Sequence, residues 1–296
     1  MTDHRLTFRE ALERASTLFK GAGISGPRRE AEFLIARVMG WDRLKLFLES
    51  DTALPPGKRK EIKQAVARRA RGEPLAYITG SRFFYGLKFM VDPAVLIPRP
   101  ESELLIESAL DWAEGCGYKR GGALQVLDLG TGSGNLAVTL ATRWPEAIFY
   151  AVDISPKALA VAAVNASRHR VQRRISWHQG SYFSALAGLE PPPKFNLVLS
   201  NPPYIPHDEL AALPPSIKEF EPLQALDGGA DGLEGYRKLL SALPSYLRSP
   251  ALVAVEIGAG QREKVVELFK ATGLFQRVAV VQDYQGWPRV IKGFSS

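Results

Sequence analysis

Cysteine is almost missing from this 296-residue chain: Cys116 stands alone, so an internal disulfide is excluded. The four histidines, His4, His169, His178 and His207, are too scattered to make a metal-ligand cluster, and no metal is expected. Long apolar runs are missing as well. No stretch reaches the length of a membrane span, and Met1-Thr2-Asp3-His4-Arg5 lacks the apolar centre of a signal peptide, so a cytoplasmic protein with no membrane partner is expected. There is no internal repeat and no low-complexity tract. An acidic surplus is absent too: 38 Lys and Arg face 31 Asp and Glu. The whole excess of +7 lies in residues 1–72, where 16 basic residues face 9 acidic ones, while the remainder is balanced. Few aromatics interleave that basic segment, which weakens a nucleic-acid reading, and a run such as Lys58-Arg59-Lys60-Glu61-Ile62-Lys63 is more often a solvated helix face than a steering patch.

What is present divides into three parts. Apolar residues recur with helical spacing over 8–19, 29–39 and 58–71, broken by Ser25-Gly26-Pro27 and Leu54-Pro55-Pro56-Gly57, and residues 1–72 read as a small helical domain. Residues 73–100 read as a connecting hairpin, since Phe83, Phe84, Tyr85, Leu87 and Phe89 cluster with strand-like alternation. From 101 to 296 apolar strands near 124–129, 147–152, 175–178, 195–200, 251–257, 275–281 and 287–292 alternate with helical stretches. That alternation implies an α/β doubly wound sheet. The last two strands lack a helix between them, and a hairpin at 282–286 makes the final strand antiparallel.

Two strand ends carry the chemistry. The first is Asp128-Leu129-Gly130-Thr131-Gly132-Ser133-Gly134-Asn135, a glycine loop leading into a helix, where backbone can approach a ligand and helix N–H groups are free. A hydride-transferring NAD site wants G-x-G-x-x-G; here the third glycine comes one residue early, with Asn135 in its place, a spacing that suits S-adenosylmethionine better. The next strand ends in Asp153, placed to accept hydrogen bonds from a ribose diol, and Ser155-Pro156 caps the helix that follows. The second strand end is Asn201-Pro202-Pro203-Tyr204 after the apolar run 195–200. Asn-Pro-Pro alone is an ordinary strand-to-loop breaker. Following the glycine loop and the spaced acid in this order it is more: a carboxamide, an extended backbone enforced by two prolines and a flat ring with a polar tip suit a planar amino group conjugated to a carbonyl or a ring.

With these motifs the chain resembles the glutamine methyltransferases of class I peptide-chain release factors, the PrmC/HemK family. The resemblance runs through Glu73-Pro74-Leu75-Ala76-Tyr77-Ile78-Thr79-Gly80, Val95-Leu96-Ile97-Pro98-Arg99-Pro100-Glu101, the glycine loop, the Asn201 tetrad, Phe220-Glu221-Pro222, Asp227-Gly228-Gly229 and Glu256-Ile257-Gly258, spanning roughly residues 73–293. It implies a Rossmann-like, seven-stranded class I methyltransferase domain (101–296) preceded by the small all-helical domain (1–72), which helps hold the release factor, with the hairpin linker (73–100) between. It further implies S-adenosylmethionine as cofactor and methylation of the side-chain nitrogen of the glutamine in a Gly-Gly-Gln motif.

On that resemblance the catalytic residues are Asn201, Pro202 and Tyr204, with Pro203 completing the acceptor site; Asp128, Gly130, Thr131, Gly132, Gly134, Asp153, Ser181, Tyr182 and Asn201 hold the cofactor; Arg99 and Glu101 border its pocket, where residues of this type are commonly structural ion-pair partners. The chain departs from the pattern at Ser181, where relatives usually carry an aspartate toward the adenine, at Ser102, where threonine is commoner, and at Tyr284-Gln285-Gly286-Trp287. The expected partner is a class I release factor, met by a monomer, with nucleic acid not a substrate. Two other acceptors share the tetrad: a ribosomal-protein glutamine and the amino group of adenine, the latter requiring base flipping and a recognition insert that the chain lacks after residue 204. A NAD-dependent oxidoreductase and a binding-only module are the readings outside methyl transfer.

Overall fold

The computed structural model describes residues 6–295; the Met1–Arg5 segment weighed above against a signal peptide, His4 included, lies outside them. The chain divides into two compact units, one running to Ser81 and taking in Pro214–Phe220, the other comprising Arg82–Leu213 and the chain from Glu221 onward.

In the first unit, helix α1 (Phe8–Gly21) starts at a capping box: Glu10 donates its N–H to Thr7 Oγ1 (3.2 Å) and Thr7 donates its N–H to Glu10 Oε2 (2.9 Å). Its buried stripe of Phe8, Leu12, Ala15 and Phe19 meets Leu34 and Ile35 of α2 (Pro27–Met39), Leu46 of α3 (Arg43–Leu48), and Ile62 and Ala65 of α4 (Pro56–Ala70) in one core. Arg69 ties α4 to Glu30 of α2 at 2.7 Å. Helix α3 and the following α5 (Leu75–Thr79) carry too few turns to give a periodic signal, which is why the sequence pattern shows only the three longer helices. On α3, Leu44, Phe47 and Leu48 remain exposed.

In the second unit, β1 (Ser81–Phe84) and β2 (Leu87–Met90) form a hairpin turned by Tyr85 and Gly86, both at positive φ. Helix α6 (Glu103–Gly115) leads to β3 (Gln125–Leu129), α7 (Asn135–Arg143), β4 (Ile148–Asp153), α8 (Pro156–Arg168), β5 (Ile175–Gln179) and β6 (Phe195–Ser200). After the short α9 (Pro215–Lys218), which belongs to the first unit, come α10 (Glu234–Ala242), β7 (Leu247–Glu256), α11 (Arg262–Ala271), β8 (Arg277–Gln282) and β9 (Pro288–Ser295). Seven strands make one sheet in the order β5-β4-β3-β6-β7-β9-β8, parallel except that β9 runs antiparallel to both neighbours. The final strand is therefore reversed, as its hairpin connection predicts. Strand β7 begins at Leu247, earlier than its apolar run, because Leu247 still pairs with Phe195 across a bulge.

The sheet is buried on both faces, and neighbouring residues serve opposite cores. Val126 and Leu197 pack with α6 and α7 through Leu105, Leu136 and Leu140; Leu127 and Val198 pack with α10 and α11 through Leu239 and Phe269. Strands used on both sides need no polar alternation, so they read as continuous apolar runs. The chain leaves β3 toward β4 and β5 on one side, then returns to place β6 on the other. The ends of β3 and β6 therefore flank the point where strand order reverses, the place where open α/β sheets bind ligands.

Candidate active site

The glycine loop follows β3 and the Asn201 tetrad follows β6, with Leu129 and Ser200 paired in register and the Ser200 hydroxyl donating to the Leu129 carbonyl (2.7 Å). A cleft opens there, holding about 1140 Å³ counting the space at its open mouth, lined by Gly130, Gly132, Asp153, Ser181, Asn201 and Pro202 among others.

On the loop side, Gly130, Gly132 and Gly134 all take positive φ (74°, 53° and 79°), which side chains at these positions would strain. Two carboxylates hold the loop. Asp153 Oδ2 accepts the Gly132 N–H (2.8 Å) and Oδ1 accepts the Ser155 N–H (2.9 Å), joining the loop to the start of α8 while the side chain still lines the cleft. Asp128 Oδ2 accepts from Thr131 Oγ1 (2.7 Å) and the Ala137 N–H (3.1 Å). Burial pushes both carboxyls up, Asp128 to about 6. Asp128 Oδ1 is buried and finds no hydrogen-bond partner among the described residues. Asp128, Thr131 and Gly134 thus stand behind the loop, shaping it, while Gly130, Gly132 and Asp153 face the cleft. Farther along the wall, Ser181 is exposed and Tyr182 sits at φ 50°, its phenol pushed up to about 12 by burial and by Glu234.

The tetrad side is held differently. Pro202 and Pro203 line the cleft, and the backbone beyond them continues extended, Ile205 exchanging bonds with Leu226 (3.0 Å) and Gly228 (2.8 Å). Tyr204 turns its ring toward Gly258, where a Cβ would fall 2.8 Å from Cδ2; its carbonyl accepts from Gln261 Nε2 (2.8 Å). Burial raises the Tyr204 phenol well above its ordinary range, so it stays protonated. Gly228 lies so close that a Cβ would meet Tyr204 Cα at 2.8 Å and the Pro203 carbonyl at 2.9 Å.

The Asn201 carboxamide donates from Nδ2 to Ser102 Oγ (3.1 Å), and Ser102 in turn donates to Glu256 Oε2 (2.5 Å). Ser102 and Glu256 are 1% and 2% exposed, and burial pushes Glu256 up to about 7. Arg99 is an ion-pair partner: it meets Glu221 Oε1 at 2.6 Å, and Glu221 also accepts the Ile97 N–H (3.3 Å). Glu101 acts on this end through its charge, raising Glu256.

Four residues of this end were not picked out as site residues from sequence: Glu256, Ser102, Gln261 and Glu221. Glu256 does carry a signal. It interrupts the apolar run 251–257, and an acid buried in a central strand needs a partner. Gln261 gives none, since its worth lies in bridging Tyr204, Gly232 (3.1 Å) and Tyr236 (3.2 Å), which are far apart in sequence.

Among the described residues no group of three or more His, Cys, Asp or Glu is placed to hold a metal ion, and no helix is long and apolar enough to cross a membrane.

Residues 10–80 match the PrmC N-terminal domain model and residues 115–214 the methyltransferase small domain model. The chain is 41% identical over 287 residues to a release factor glutamine methyltransferase of Geobacter sulfurreducens, covering 97% of this chain and 96% of that protein. It is 39% identical to a protein of the same name from Moorella thermoacetica, covering 96% and 97% of the two. Among solved structures, the hMettl16 catalytic domain in complex with a MAT2A 3′UTR hairpin superposes with a TM-score of 0.54 at 14% identity, over 81% of this chain and 82% of that one, a likeness of fold.

Proposed function

The chain belongs to the release factor glutamine methyltransferase family, and from that premise we propose that it methylates the side-chain nitrogen of the glutamine in the Gly-Gly-Gln motif of class I release factors, using S-adenosylmethionine. The observation that carries the proposal is the anchored Asn201 carboxamide: its Nδ2 is committed to Ser102, which leaves Oδ1 to accept from an amide donor at the cleft.

The residues present fit the cofactor. Asp153 faces the cleft with an oxygen pair that can take ribose hydroxyls beside the loop amides, and Gly130 and Gly132 let backbone approach. When bound, S-adenosylmethionine supplies an electrophilic methyl. The protein's own task is to make a poor nucleophile react, because an amide nitrogen gives its lone pair to its carbonyl. Asn201 Oδ1 and the Pro202 carbonyl each accept one N–H of the substrate carboxamide, which pins the nitrogen and draws density onto it. Such positioning can lower a barrier by about 7–11 kcal/mol in favourable cases. The protonated Tyr204 ring closes the acceptor end and keeps water away. No general base has to act before transfer, since the proton leaves from the cationic product.

The protein acts as a monomer in the cytoplasm, and the helical unit, expected at residues 1–72, holds the release factor. The exposed Leu44, Phe47 and Leu48 on α3 support that role, since contiguous exposed apolar side chains mark interaction surfaces. Adenine in nucleic acid is not the substrate.

The test is intact mass and peptide mapping of unmethylated release factor after incubation with the protein and S-adenosylmethionine, alongside ribosomal protein and adenine-containing DNA. One added methyl on the Gly-Gly-Gln glutamine is expected; methyl only on the other acceptors, or on none, overturns the proposal.

A further inference from the structure

An amide side chain can present either end. Asn201 works as an acceptor only if its oxygen faces the cleft, and nothing in Asn201 itself enforces that. Resting on the reading of Asn201 given above, we infer that Glu256 and Ser102 are positioning residues that fix the polarity of the Asn201 carboxamide, and that the proton state of Glu256 decides which end Asn201 shows to the substrate.

The argument follows the protons. Ser102 owns one hydroxyl hydrogen, and it is given to Glu256 Oε2 (2.5 Å). With that hydrogen spent, Ser102 Oγ can only accept, so Asn201 must offer it Nδ2, as it does at 3.1 Å. Asn201 also contributes a hydrogen bond that favours the Glu256 charge. All three links are then satisfied, and Oδ1 is left for the cleft. A proton on Glu256 reverses the first link: the carboxylic acid becomes a donor to Ser102 Oγ, the serine hydrogen is released, and it can be given to Asn201 Oδ1. The amide can then turn over, giving up its own bond to Glu256, which no longer carries a charge to favour it, and presents its NH2 to the NH2 of the substrate, donor against donor.

The environment puts this switch in reach. Glu256 sits 2% exposed at the end of β7, and burial raises it to about 7. Glu101, before α6, raises it further; Arg289 of β9 lowers it, although its guanidinium is also paired with Asp283 (2.9 Å). The phenols of Tyr204 and Tyr236 feel the same charge, and Tyr236 Oη donates to the Glu256 main-chain carbonyl (3.0 Å), not to the carboxylate. A purely structural pairing of Ser102 with Glu256 would need no link to Asn201. The shared serine makes it a relay.

The experiment measures kcat against pH for the full-length protein with release factor and S-adenosylmethionine, in the wild type, Ser102→Thr, Ser102→Val, Glu256→Gln and Asn201→Ala, with cofactor affinity by calorimetry to establish that each variant is folded. Thr and Val share a shape and differ by the hydroxyl. The wild type is expected to lose kcat toward acid with a midpoint near 7, set by Glu256. Ser102→Thr keeps that limb and a rate at least about tenfold above Ser102→Val, a difference of about 1.4 kcal/mol in barrier. Ser102→Val and Glu256→Gln both lose the acid limb, while cofactor affinity stays within about threefold, which is under 1 kcal/mol. A Ser102→Val profile that overlays Ser102→Thr, or an acid limb that survives in Glu256→Gln, overturns the relay. If either result comes with an inactive Asn201→Ala, the acceptor role of Asn201 still stands; near-normal turnover in Asn201→Ala removes that role, and the relay with it.

Discussion

The two halves of the cleft solve the same problem by opposite means. On the loop side, Gly130 to Gly134 are held by carboxylates that belong to the same motif or the next strand end: Asp128 reaches Thr131 and Ala137, and Asp153 reaches Gly132 and Ser155. On the tetrad side, Asn201, Pro203 and Tyr204 are held by Ser102, Gly228, Glu256, Gly258 and Gln261, drawn from along much of the second unit. On the function proposed above, a cofactor used by many enzymes meets a local device that one short segment can encode, while the acceptor, which distinguishes one enzyme from another, meets a device that exists only once the whole sheet has folded.

If that division is right, substitutions on the two sides separate rate from cofactor binding. The largest effect is expected from Asn201→Ala, which removes the acceptor for the substrate N–H without touching the loop. Loss of one such preorganised contact costs about 10²–10³ in turnover in other enzymes. Methyl transfer should fall by that order or more, with the S-adenosylmethionine dissociation constant within a few fold by calorimetry. Equal damage to both quantities would erase the division.

Gly228→Ala sharpens the comparison from the backbone. Its Cβ would lie 2.8 Å from Tyr204 Cα and 2.9 Å from the Pro203 carbonyl, so the tetrad itself must move. A displacement of about 1 Å near reacting groups can cost roughly 10²-fold in rate. The expected outcome is a drop of that order in single-turnover rate with an unchanged cofactor affinity.

Asp153→Ala is the mirror test on the loop side. It removes the acceptor for ribose and the anchor of the Gly132 N–H together. Each group left unsatisfied costs about 1–3 kcal/mol, so the cofactor dissociation constant should rise roughly 10–100-fold while saturating cofactor restores much of the rate. An unchanged constant would take Asp153 out of the binding site.

The same division explains how much could be read beforehand. The seven strands, the reversed last strand and the three long helices were legible because burial on two faces, a helix-free connection and helical periodicity are local patterns. The glycine loop and Asp153 were legible because their spacing is fixed by the geometry of one βα turn and the strand after it. Asn201 to Tyr204 could be recognised but not explained: Asn201 takes its orientation from Ser102 and Glu256, 99 residues before it and one strand over in the sheet. Ser102 drew notice only as a departure from its relatives. Arg99 was read as a border residue and as an ion-pair partner, and Glu221, with which it pairs, lies 122 residues away. Helix α3 escaped because six residues give no period.

The smallest effect expected is in stability, and it runs against function. Folding raises Glu256 from 4.5 to about 7 by burial. A carboxyl raised in this way binds its proton more tightly in the folded chain than in the unfolded one. Its contribution to stability is fully present below about 4.5 and is lost as pH rises through about 7. At pH 8 the native state therefore holds an ionised carboxylate that burial disfavours, and this is the state in which Ser102 and Asn201 are correctly ordered. Glu256→Gln keeps the shape and removes the buried charge. Thermal unfolding should show the variant melting a few degrees above the wild type at pH 8, each kcal/mol moving Tm by roughly 2–4 °C in a chain of this size, and the gain should shrink toward zero at pH 5. A gain that did not change between the two pH values would mean that the charge at residue 256 is not what folding opposes. A gain confined to high pH, in a variant with reduced kcat, would mean that the tetrad side retains an unfavourable charge because the acceptor geometry depends on it.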